Sequence, residues 1–112
     1  MDQETAIGAL SALANAHRLD VFRRLVKAGP GGQVAGELAQ AAGLAPPVLS
    51  FHLKELEHAG LIVSKREGRF VRYALNVSQM RGLIGFLTED CCEGLPELCG
   101  AILQRRSETS CC

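Results

Sequence analysis

The chain has 112 residues, with twelve Lys and Arg against twelve Asp and Glu, so its formal net charge is zero. Apolar residues make up 47% and charged residues 21%, which excludes a disordered chain and fits one compact domain with a modest core. No apolar run reaches membrane-spanning length and no secretory signal opens the sequence, so a membrane partner is excluded and the expected location is the cytoplasm. In that reducing compartment the five cysteines read as free thiols or ligands rather than a disulfide framework. With no Trp, one Tyr and four Phe, aliphatic side chains must fill the core.

In chain order, residues 5–14 form a first helix, with Ile7, Leu10, Leu13 and Ala14 on one stripe. A second helix runs from Ala16 to Ala28, where Leu19, Phe22 and Val26 share a face widened by Val21 and Leu25. Gly29-Pro30-Gly31-Gly32 stops it. Two short helices follow, Val34–Ala42 and Pro46–Ala59, joined by a turn containing Gly43. In the latter, Leu49, Leu53 and Leu56 recur at i, i+4, i+7 as a buried face, and Ser50, His52 and Lys54 fall off it. Helix, short Gly-containing turn and helix is either an ordinary packed pair or a DNA reader, whose second helix presents polar side chains to base edges.

Leu61–Leu75 then alternates as two strand-like runs around Glu67-Gly68, a hairpin tip. Residues 61–75 hold Lys65, Arg66, Arg69 and Arg72 against Glu67, a surplus of +3, whereas residues 76–112 carry a deficit of 2. A basic hairpin directly after a reading helix is a wing, with arginines placed for phosphate contact. Ser78–Asp90 is a further helix, with Met80, Leu83, Ile84 and Leu87 on one face and Gly82 and Gly85 permitting close approach of a partner helix. The helices at 5–14 and 78–90 are apolar on a stripe that so small a core does not need, so they are expected to pair across the two-fold axis of a homodimer. Gly94–Arg106 holds one more short helix, and Ser107–Cys112 frays.

The expected fold is therefore mostly α with a β-hairpin: a single winged helix-turn-helix domain over 1–112, of five to six helices and a two-stranded wing, ending in a Cys-rich tail at 91–112. This order resembles the ArsR/SmtB family of bacterial winged-helix repressors over roughly residues 6–88. The resemblance is carried by Ala16-His17-Arg18-Leu19 with Leu25, by Leu49-Ser50-Phe51-His52-Leu53-Lys54-Glu55-Leu56, by Ala59-Gly60-Leu61-Ile62, and by Arg66-Glu67-Gly68-Arg69 with Tyr73. It implies a homodimer, not an enzyme, that binds double-stranded operator DNA and is released by an effector. It also implies that Ser50 and His52 face the major groove and that the wing arginines Arg66, Arg69 and Arg72 contact phosphate; Lys54 joins the DNA-binding set from its place off the leucine face.

The chain departs from the family where many members sense their ion. The Cys-Val-Cys element of arsenic-type members is replaced by Gly36-Glu37-Leu38-Ala39-Gln40, and Ser78–Asp90 contains no His for a zinc-type site. Cys91, Cys92 and Cys99 instead place three thiols within nine residues. This resembles a family branch with a cysteine trio at the end of the last dimer helix. Soft thiolates suit soft ions, and trivalent arsenic takes three sulfurs, whereas structural zinc takes a fourth ligand. In an unbroken helix Cys92 and Cys99 would stand about 10.5 Å apart along the axis, so one ion needs a bend, and Gly94 and Pro96 supply it. The expected effector is As(III), with Sb(III) as second candidate; thiol redox sensing or Zn/Cd sensing through the same cysteines is the alternative. Cys111-Cys112 either adds a ligand or hangs free.

Overall fold

The structure, a computed structural model, describes residues 1–88. Helix α1 (Gln3–Leu13) starts where Asp2 accepts a hydrogen bond from Thr5 N–H at 2.8 Å. That bond also holds the Asp2 carboxyl below its usual pKa. Helix α2 (Ala16–Ala28) is capped by Asn15, whose side-chain oxygen accepts from the N–H groups of His17 and Arg18 at 3.0 and 3.1 Å. Each cap satisfies donors that a helix start leaves without an intrahelical partner.

A 3₁₀ turn at Gly29–Gly31 leads into strand β1 (Gln33–Val34). Gly32 between them is required: its φ is +65°, and a Cβ there would lie 2.1 Å from the carbonyl oxygen of Tyr73. Helix α3 (Ala35–Ala42) ends at Gly43 in the left-handed region, where Leu44 N–H donates back to Ala39 O at 3.0 Å. Helix α4 (Pro46–His58) carries both prolines in its first turn, where the missing N–H groups cost nothing. Strands β2 (Ile62–Glu67) and β3 (Phe70–Leu75) pair antiparallel from Ile62↔Leu75 to Glu67↔Phe70, and helix α5 (Val77–Leu87) follows, capped by Asn76.

The core lies where α2, α3 and α4 meet the root of the hairpin. Val21, Phe22 and Leu25 of α2, Leu38 of α3, and Leu49, Leu53 and Leu56 of α4 close over Leu61 and Ile62. Each fully buried leucine contributes roughly 1.5–3 kcal/mol, so the heptad-like spacing on α4 is what anchors that helix to the body.

The architecture is the expected winged helix-turn-helix, with several local differences. The sheet has three strands in the order β1-β3-β2, because Gln33 and Val34 pair with Tyr73 and Arg72. The hairpin turns at Gly68-Arg69, one residue later than expected. Helix α1 buries Ala6, Ala9 and Ala12, and leaves Ile7 and Leu10 outside. Small alanines let α1 lie close to α2 and α5, so Ile7 and Leu10 of the expected stripe point away from the protomer while Leu13 packs half-buried against the core. Leu19 and Val26 of α2 are likewise exposed. Helix α5 buries only Leu83 fully, and Ile84 and Leu87 are exposed. Helices α1 and α5 pack on each other within the protomer and both keep apolar side chains outside. The tail helix expected at Gly94–Arg106, the end of the helix expected to reach Asp90, and Ser107–Cys112 lie outside the described residues.

Candidate nucleic-acid interface

At about 100° per residue, the mean direction of Leu49, Leu53 and Leu56 defines the buried side of α4. Phe51 lies within roughly 15° of the opposite direction. Around it, Pro47, Val48, Ser50, Lys54 and Glu55 are all exposed. The outward face of α4 therefore carries one hydroxyl, one ammonium, one carboxylate and an apolar strip formed by Val48 and Phe51, which are 44% and 57% exposed.

Ser50 and Lys54 stand on the outward face, as expected. His52 does not. It is buried, with 7% of its surface exposed, because it sits only roughly 65° from the mean direction of the three leucines and α2 covers that flank. Its Nδ1 lies 3.3 Å from Arg18 Nη1, and its ring centroid is 5.7 Å from that of His17. Arginine has no acceptor and stays protonated, so Nδ1 must accept and His52 is neutral. Burial, then the positive charges of Arg18 and His17, push its pKa below the ordinary 6.5, with Glu55 opposing. Arg18 also donates from Nε to Ala12 O at 2.7 Å. One guanidinium thus ties the end of α1 to the middle of α4. The expectation that His52 faces a major groove is corrected: it fastens the reading helix from behind.

The hairpin is fixed to the same helix. Ser64 Oγ donates to Glu57 Oε2 at 2.7 Å, and Asn76 Nδ2 donates to Gly60 O at 3.0 Å. Burial, with Glu57 nearby, raises the pKa of Tyr73. Lys65, Arg66 and Arg69 are exposed along the wing. Arg72 is engaged differently: its Nε lies 3.0 Å from Glu67 Oε1, and its Nη1 donates to Gly31 O at 3.2 Å. It braces the hairpin against the Gly29–Gly32 turn, so its guanidinium is engaged within the protein rather than extended along the wing like those of Arg66 and Arg69. Phe51, absent from the expected polar set, stands opposite the leucine repeat, a placement that the helical angle alone carries in the sequence.

Cys91, Cys92 and Cys99, the expected metal ligands, lie outside the described residues. Among the described residues no group of three or more His, Cys, Asp or Glu side chains is placed to hold a metal ion, and no helix is long and apolar enough to cross a membrane.

An exposed helix face backed by a leucine repeat, set beside a basic hairpin and locked to it, defines a winged helix-turn-helix protein of the DNA-reading type. A helix-turn-helix domain family matches residues 13–65. Nodulation protein NolR of Rhizobium meliloti is 33% identical over 88 residues, covering 79% of this chain and 70% of that protein. The arsenical resistance operon repressor of Bacillus subtilis (strain 168) is 30% identical over 101 residues, covering 90% of this chain and 84% of that protein. Among solved structures, the homodimeric winged helix-turn-helix DNA-binding domain Mb0332 of Mycobacterium bovis, described as a possible ArsR-family regulator, superimposes with a TM-score of 0.61 at 25% identity, covering 80% of this chain and 83% of that one. The chain belongs to the ArsR family of winged helix-turn-helix transcriptional regulators, which is not a class of enzymes.

Proposed function

We propose that the protein is a homodimeric repressor that holds operator DNA through α4 and the wing and lets go when As(III), or Sb(III), binds Cys91, Cys92 and Cys99. The observation that carries the effector is the donor set. Three thiols fall within nine residues, in a chain that carries neither a cysteine pair on α3 nor a histidine on α5. The similarity to an arsenical resistance repressor over most of both chains supports the same reading.

The dimer is supported by the outward apolar side chains of α1 and α5 and by the homodimeric state of the related domain. Cys91 and Cys92 follow Leu87, the last residue of α5, by four and five residues and Cys99 by twelve, so a bend set by three sulfurs acts just beyond the dimerising helix. Reading heads in such dimers must stand about 34–36 Å apart to meet successive major grooves. A coupling of about 1–3 kcal/mol, the usual allosteric range, changes DNA affinity 5- to 150-fold, which is enough for derepression.

Proton balance tests the ligand set. Arsenous acid carries three hydroxides, so three thiols displace three waters with no net proton release. Zinc or cadmium binding to thiols releases protons, and disulfide formation needs an oxidant instead. Calorimetry of arsenite binding in buffers of different ionisation enthalpy is expected to return the same heat in each; a strong buffer dependence at neutral pH contradicts the trio.

A further inference from the structure

We propose that Phe51 is a base-reading residue, which selects a thymine by its C5-methyl group at a fixed place in each half-site. This deepens the DNA-reading function above and rests on it. Phe51 sits at the centre of the exposed arc of α4 and is 57% exposed; it touches His52 edge-on at 5.5 Å between centroids and otherwise points outward. Val48, three residues earlier and 44% exposed, extends the same apolar strip. A phenyl ring has no donor or acceptor, so it cannot use the hydrogen-bond code of base edges. The apolar feature that distinguishes one base from the others on the major-groove edge is the thymine methyl.

The surroundings favour duplex DNA as the occupant of this strip. Lys54 stands one helical turn beyond Phe51 on the same face, and Lys65, Arg66 and Arg69 are exposed on the neighbouring wing. Those cations complement phosphates on either side of a groove. Glu55 also stands one turn beyond Phe51 on this face, but against it Lys54, Lys65, Arg66 and Arg69 keep a positive surplus around the strip, which suits a duplex better than a hydrophobic protein partner. Ser50, beside Phe51, serves either base type and leaves the choice of base to its neighbour.

The test uses the full chain. Preferred sites are selected from a random duplex library, and each thymine is then replaced by deoxyuridine, which removes only the methyl. For the wild type, one thymine per half-site is expected to lose about three- to five-fold in affinity per replacement, the scale of one buried methyl group. Phe51→Ala is expected to bind more weakly and to be indifferent to the replacement, with unchanged circular dichroism because the ring is exposed. A selected site with no methyl-sensitive thymine, or a methyl effect that persists in Phe51→Ala, overturns the assignment and leaves DNA reading intact. A wild type that enriches no sequence overturns the DNA-reading function and this inference with it.

Discussion

Arg18 of α2 holds His52 of α4 through a 3.3 Å contact between Nη1 and Nδ1, and the same guanidinium donates to the carbonyl of Ala12 at the end of α1. Helix α4 is thereby joined to one that carries outward apolar residues by a single side chain. The contact exists only while His52 is neutral, which gives it a pH dependence whose sign can be worked out. The pKa of His52 is depressed in the folded protein, chiefly by burial and then by Arg18 and His17. Above pH 6.5 the ring is neutral in both folded and unfolded chains, and its contribution is complete. As pH falls below that value the unfolded chain takes up a proton that the folded one resists, so stability drops until the folded pKa is reached. Thermal melts are expected to show this acid loss in the wild type. His52→Asn offers an amide oxygen in place of Nδ1 and is expected to lack that step; an equal acid loss in the variant contradicts the assignment.

The wing makes a contrast between neighbouring arginines. Arg66 and Arg69 are exposed, whereas Arg72 is engaged by Glu67 and Gly31. Each phosphate contact adds about 0.9 to the slope of log affinity against log salt. Arg69→Ala or Arg66→Ala is therefore expected to lower that slope by about 2 in a dimer, one contact per protomer. Arg72→Ala is expected to leave the slope unchanged and to lower the melting temperature. Equal slope changes for all three variants contradict the geometry.

Ile7 and Leu10 are 56% and 42% exposed on α1, although they are the apolar residues that a core would have taken. Replacing both with Glu leaves Ala6, Ala9 and Ala12 in place within the protomer. The expected result is a folded monomer, with the dimer dissociation constant raised at least about 100-fold, since central apolar anchors carry much of an interface's energy. Sedimentation equilibrium measures it. A double variant that stays dimeric at the wild-type concentration places the interface elsewhere.

Gly32 and Gly31 are adjacent but differ in demand. A methyl at Gly32 would meet the Tyr73 carbonyl, and its φ is +65°, whereas Gly31 has open space. Gly32→Ala is expected to lose about 3 kcal/mol or more, roughly 10–20 °C in Tm for a domain of this size. Gly31→Ala is expected to stay within about 0.5 kcal/mol. Similar melts for the two contradict the close pairing of β1 with β3.

Much of this fold was legible because its punctuation is strong. The Gly29–Gly32 run, Gly43 with the prolines after it, and Gly60 divide the helices near where the structure divides them. The leucine repeat on α4 shows its buried side without help from any other element. Strand β1 was not legible, since two residues carry no period and their pairing depends on Tyr73 and Arg72 far along the chain. Helix α1 misled because periodicity counts large apolar residues, and here the alanines face inward. The candidate site was partly legible. Ser50 and Lys54 face outward, but His52 lies at the margin of the leucine face, where only the cover supplied by α2 decides its burial. Phe51 is apolar and carries no polar signal in the sequence, although the helical angle alone points it outward.

The proposed effector site requires that three sulfurs beyond α5 control whether the reading heads hold DNA. Its most direct test is an operator-release titration of the full chain with As(III), run on the wild type and on Cys91→Ser, Cys92→Ser and Cys99→Ser. The account predicts that all four bind the operator alike, that stoichiometric As(III) releases the wild type, and that each serine variant stays bound. Release of all three variants at the same As(III) concentration as the wild type, or retention of the wild type on DNA at saturating As(III), would contradict it.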